Sequence, residues 1–112
     1  SLQVGVARRD GSSNLECGVA LRSGNALFAI WQTPVHGAEA LIQRFAALSE
    51  GCVHYSLRIP LALLGLKPGD AIRVSALVND ADRGGRKAFL EFGTGIGLSK
   101  DPQSYGLYQL AK

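Results

Sequence analysis

The stretch "GAEALIQRFAALSEGCVHYSLRIP", Gly37–Pro60, decides the fold class, because its first half satisfies two incompatible periods. Ala38, Leu41, Ile42, Phe45 and Leu48 fall on one side of a roughly 3.6-residue repeat, and propensity alone predicts an amphipathic helix over Ala38–Ala47. The second half is less ambiguous. Val53, Tyr55, Leu57 and Ile59 alternate up to Pro60, the signature of a half-buried strand. The competing reading of the first half is a strand over Ala40–Leu48, joined to this one by a tight turn at Ser49–Gly51. On these residues helix and hairpin both stay open.

Outward from this stretch the pattern is β. "LQVGVAR" (Leu2–Arg8), "LECGVALR" (Leu15–Arg22) and "ALFAIWQT" (Ala26–Thr33) are predicted strands, separated by the turns "DGSSN" and "SGN". After Pro60, "LALL" predicts a short helical turn over Leu61–Leu64, and "KPGD" a reverse turn. "AIRVSALVN" and "KAFLEF" predict two further strands, and "LYQLAK" a terminal one. About seven short strands between Gly and Pro turns predict an all-β sandwich.

At 112 residues, 46% hydrophobic and 19% charged, the composition is that of one folded domain rather than a disordered chain. The net charge of +3 is a mild surplus, and only Arg8–Arg9 and Arg83, Arg86 and Lys87 cluster. Without a broad basic patch on a recognisable module, nucleic-acid binding is not expected. No apolar run approaches the roughly 18–20 residues that span a bilayer, so membrane insertion is not expected either. The opening "SLQVGVARRDG" reads as a strand and a turn rather than a signal peptide, and a preceding part of the protein is expected to be missing. Cys17 and Cys52 each sit in an apolar run and are read as buried free thiols, with one bridge between strands as the alternative.

Two segments resemble a known family. "YSLRIPLALLGLKPGD" and "NDADRGGRKAFLEFGTGIGLSKDPQSYG" are similar, in the same order, to motifs of family nine carbohydrate-binding modules and their DOMON-like relatives, over roughly Cys52–Leu110. The resemblance implies an antiparallel, jelly-roll-like β-sandwich lacking part of its N-terminal portion, and it makes Ala40–Leu48 a strand. It also implies a non-catalytic, sugar-binding accessory domain, extracellular, periplasmic or at the cell surface, beside neighbouring domains of a longer protein. Leu61 stands where members carry tryptophan after the isoleucine-proline pair, and Phe89–Phe92 where they often carry more. Trp31 is the only tryptophan left.

A sugar site needs an aromatic face and polar groups around it. Trp31 with Gln32, near Arg22 or Arg44, is the first candidate set; Tyr105, in "DPQSYG", which looks like an exposed loop, is the second. For Trp31 alone, packing in an apolar strand is the preferred reading. Exposure of Trp31 on a polar-rimmed hollow favours the sugar site, and its burial favours a structural or protein-interaction sandwich. Phe28, Tyr55, Phe89 and Phe92 are expected in the core.

"NDADRGGRKAFLEF" places Asp80, Asp82, Gly85 and Glu91 at the first, third, sixth and twelfth positions of a calcium-hand loop. Gly84 at the fifth position offers no oxygen, and no helices flank the loop. The preferred reading is therefore structural: Asn79 or Asp80 accepts backbone N–H bonds, Gly84 and Gly85 supply positive φ, and Arg86 pairs with Asp80 or Asp82. Calcium held by Asp80, Asp82 and Glu91 is the alternative, and otherwise no cofactor is expected. His36 and His54 read as surface histidines rather than zinc ligands. A hydrolytic enzyme built on Asp80 and Asp82 ranks third, behind the sugar-binding and interaction readings.

Overall fold

Alternation in the sequence becomes strands in the computed structural model, which describes the backbone of residues 1–82, 85–96 and 100–112 and the side chains of residues 1–79, 92–96 and 100–112. In chain order the strands are β1 (Leu2–Arg8), β2 (Leu15–Arg22), β3 (Asn25–Gln32), β4 (Gln43–Ser49), β5 (Cys52–Arg58), β6 (Ala71–Asp82), β7 (Gly85–Phe92) and β8 (Gly106–Gln109). The fold is all-β, with two antiparallel sheets. The larger runs β3-β2-β1-β6-β7, with β8 also on β6, and the smaller is β4-β5. Since β1 occupies one edge of β6, β7 and β8 share the other, β7 along Ala76–Asp82 and β8 along Ala71–Val74.

The ambiguous stretch is a hairpin. Ser49 pairs with Cys52, leaving Glu50 (φ 52°) and Gly51 (φ 77°) as a two-residue turn with both central residues at positive φ. The β2–β3 turn repeats this at Ser23 (φ 51°) and Gly24 (φ 79°). Such turns twist in the sense of the strands they join, and glycine adopts the second position without steric cost. The strand reading of Ala40–Leu48 holds from Gln43 onward, and the helix that propensity alone predicts over Ala38–Ala47 is corrected: only Ala38–Leu41 keeps a helical turn, of 3-10 type, before β4 begins. The reason is tertiary. β4 hydrogen-bonds to β5 along its whole length and lies against β2 and β3, which outweighs a weak intrinsic preference. The helical stripe is split accordingly, with Ala38 and Ile42 buried and Leu41, Phe45 and Leu48 exposed.

Alternation gives the larger sheet two different faces. One carries Val6, Leu15 and Ile72 into a core completed by Ile42 and by Leu63, Leu64 and Leu66, with Leu57 and Ile59 packed against it. The other carries Gln3, Gly5 and Ala7 from β1 and Glu16, Gly18 and Ala20 from β2, a row too polar and too small to form a core itself. One end of this second face is covered, where Ala7, Leu77, Ile96 and Tyr105 form a separate buried cluster.

Three expectations about packing are corrected. Phe92 is 58% exposed rather than in the core, stacked on Tyr108 with ring centroids 6.0 Å apart. Tyr55 is only half-buried and outside the core, whereas Phe28 packs against the main core as expected, and the Phe89 side chain lies outside the described residues. Cys17 is buried as expected but Cys52 is exposed, and both are free thiols. His36 and His54 are exposed.

Candidate ligand-binding face

A β-bulge aims the only tryptophan. Cys17 pairs with Ile30 and Glu16 with Gln32, so Trp31 is an extra residue in edge strand β3. Without the bulge, Trp31 and Gln32 would point to opposite faces. With it, both line one hollow with Glu16 on the second face of the sheet. The indole lies over Gly18, where an added Cβ would come within 2.6 Å of Trp31 Cη2. Its own exposure is 50%. The packing reading of Trp31 is therefore half right, because one side of the ring is used against the sheet and the rest meets solvent.

Trp31 stands between two hollows. The smaller, about 220 Å³, has Gly18, Ala20 and Ala29 along it, with Leu27, Gln3 and Asn79 at its sides. Asn79 Nδ2 donates to Gln3 Oε1 at 3.2 Å, while the buried Asn79 Oδ1 has no hydrogen-bond partner among the described residues. The larger hollow, about 470 Å³, is lined on its other sides by Gln3, Asn14, Glu16, Gln32 and Lys100. Glu16 is 1% exposed and forms an ion pair with Lys100, whose Nζ also donates to the Ile96 carbonyl at 3.1 Å.

Tyr105 builds this face rather than offering a ring to a ligand. It is 2% exposed, which corrects the exposed-loop reading, and its ring lies over Gly5 with its hydroxyl 3.2 Å from Asn14 Oδ1. Burial, and then the Glu16 carboxylate, push its phenol up to about 12, and the same two causes push the Cys17 thiol up to about 11. Unfolded tyrosine and cysteine lose their protons near 10 and 9, so the native state holds protons that the unfolded chain releases. Stability from these groups is complete below those values and is lost as pH rises toward 11 and 12. Thermal melts are expected to fall between about pH 9 and 12, with Tyr105→Phe flattening the upper part of that decline.

The other expected site residues separate. Gln32 stays with Trp31, but Arg22 is exposed beside the Ser23–Gly24 turn and lines neither hollow. Arg44 belongs to the smaller sheet. Its guanidinium sits 4.5 Å from the Phe28 ring centroid and donates to the carbonyls of Glu39 and Ile42, so its placement beside Trp31 is corrected. Asp80 and Asp82 lie in β6, and Gly85, Arg86 and Glu91 in β7, with Asp82 paired to Gly85. The side chains of Asp80, Asp82, Arg86 and Glu91, and Gly84 as a whole, lie outside the described residues, and with them the calcium and loop-closure readings. Among the described residues, no group of three or more His, Cys, Asp or Glu side chains converges, and no helix is long and apolar enough to cross a membrane.

Gln3, Asn14, Glu16, Asn79 and Lys100 did not stand out as ligand residues in the sequence. Glu16 sits in what reads as an apolar run, and only its phase with Gly18 and Ala20 sets it on the face away from the core. Comparison with protein-family models, with curated proteins and with solved structures gives no match.

Proposed function

We propose that the chain is a non-catalytic glycan-binding module, and that its two sheets form a jelly-roll-like sandwich of the kind the family resemblance implies. The observation that carries this reading is Trp31, fixed over Gly18, half-exposed, and set between two hollows edged with amides. A pyranose presents an apolar C–H face and a rim of hydroxyls, which matches an indole face with polar side chains beside it. The resemblance adds the context, an accessory or surface-associated domain of a secreted protein. A panel of neutral glycan affinity gels is the test. Wild type is expected to be retarded on at least one, and Trp31→Ala to lose about tenfold or more in affinity without unfolding. Equal mobility of the two on every gel would overturn the reading.

A protein-interaction module is the second reading, favoured by the cross-strand pair Leu48 and Val53, both exposed on the smaller sheet. It expects no retardation on glycans and no effect of Trp31→Ala.

A further inference from the structure

Glu16 and Lys100 form an ion pair of unequal exposure. The Glu16 side chain is 2% exposed and that of Lys100 is 54%. Burying a carboxylate is costly without a partner, yet this one sits against a solvent-open hollow rather than in the apolar core. The Lys100 ammonium has three N–H donors. One goes to Glu16 Oε1 and one to the Ile96 carbonyl, and the third has no acceptor among the described residues. The remaining polar side chains there, Gln3, Asn14 and Gln32, are neutral amides. Among the described residues the hollow thus offers one cationic donor, held by two acceptors, and a net formal charge of zero.

Resting on the glycan reading above, we infer that Lys100 is the donor that recognises a saccharide oxygen beside Trp31, and that Glu16 sets the charge selection, so that the ligand is a neutral saccharide rather than a uronate- or sulfate-bearing one. A hydroxyl or ring oxygen accepts from the ammonium without disturbing the pair. An anionic sugar would be drawn to Lys100 and repelled by the carboxylate beside it, so the two contributions offset. Removing the Glu16 charge leaves the Lys100 charge uncompensated, and selectivity should reverse.

The experiment measures the affinities of wild type, Glu16→Gln, Lys100→Met, Lys100→Arg and Trp31→Ala for hexasaccharides of glucose, mannose, xylose and galactose, and for hexagalacturonate, at low and high salt. Wild type is expected to bind a neutral hexamer with little salt dependence and to bind hexagalacturonate more weakly. Lys100→Met should weaken neutral binding about tenfold, while Lys100→Arg should largely retain it. Glu16→Gln should bind hexagalacturonate about tenfold more tightly than wild type does, an increment that high salt removes. Melting of each variant identifies any loss of fold, and the double variant Glu16→Gln/Lys100→Met, which leaves no buried charge unpaired and should lose the same roughly tenfold in neutral binding, carries the test if either single variant is unstable. Tighter wild-type binding of hexagalacturonate than of any neutral hexamer would overturn the inference. So would a neutral-to-acidic ratio that neither Lys100→Met nor a folded Glu16→Gln changes. In both cases a Trp31-dependent glycan site survives. If no hexamer binds wild type better than Trp31→Ala, the glycan reading fails and this inference with it.

Discussion

Tyr105→Ala is expected to lower the unfolding free energy by about 3–5 kcal/mol, the usual cost of truncating a large buried aromatic. For a chain of 112 residues this is a large part of a total on the order of 5–15 kcal/mol. The ring is 2% exposed, packs with Ala7, Leu77 and Ile96, and lies so close to Gly5 that a Cβ there would come within 2.5 Å of its atoms. Alanine leaves a cavity that backbone pairing on both sides prevents from collapsing. Tyr105→Phe keeps the ring and gives up only the hydroxyl contact to Asn14, so about 1 kcal/mol is expected. Denaturant unfolding of the three proteins measures both losses. A Tyr105→Ala cost no larger than that of Tyr105→Phe would mean that the ring does not fill the space assigned to it.

Gly18→Val is expected to weaken ligand binding about tenfold or more with much less effect on the fold. The new Cβ would lie 2.6 Å from Trp31 Cη2, 2.8 Å from Cζ3 and 3.0 Å from the carbonyl oxygen of Leu2. The carbonyl is fixed in the sheet, so the indole must give way, and its half-exposed position lets it swing outward. Lost indole contact and residual crowding cost about 1–3 kcal/mol, offset in part by the strand preference of valine, which is worth at most about 1 kcal/mol. The net change in stability should stay below about 2 kcal/mol. The binding change should match that of Trp31→Ala, since the platform is displaced in one variant and removed in the other. Emission from the single tryptophan should shift to the red in Gly18→Val, reporting the displacement without any ligand. Unchanged emission would show that the indole does not rest on Gly18.

Much of the sheet was legible because period and punctuation agree. Leu2–Arg8 and Leu15–Arg22 alternate between clear turns, and both strands have those limits in the structure. The Leu61–Leu64 turn likewise follows Pro60, which fixes φ at its entry. At Ala38–Ala47 local pattern misleads, because an apolar stripe at helical spacing says nothing about pairing to β5. The resemblance favoured the strand there, together with the hairpin turn that Ser49–Gly51 offers. The candidate face was legible only at Trp31 and Gln32. The bulge that puts both on one side depends on the register between β2 and β3, and register is a property of two strands together. Arg44 fails as a neighbour for the same kind of reason, since β4 belongs to the other sheet. Lys100 reaches Glu16 across most of the chain, a contact that no local spacing announces.

Trp31 is the only tryptophan, so its fluorescence reads the proposed site with no background from another indole. The most direct measurement is a titration of the wild-type protein with the neutral hexasaccharides, followed by tryptophan emission. A saturable change in intensity or a blue shift is expected with at least one of them, as a sugar ring displaces water from the exposed side of the indole. Emission that stays constant to millimolar concentrations of every hexamer would contradict glycan binding at Trp31.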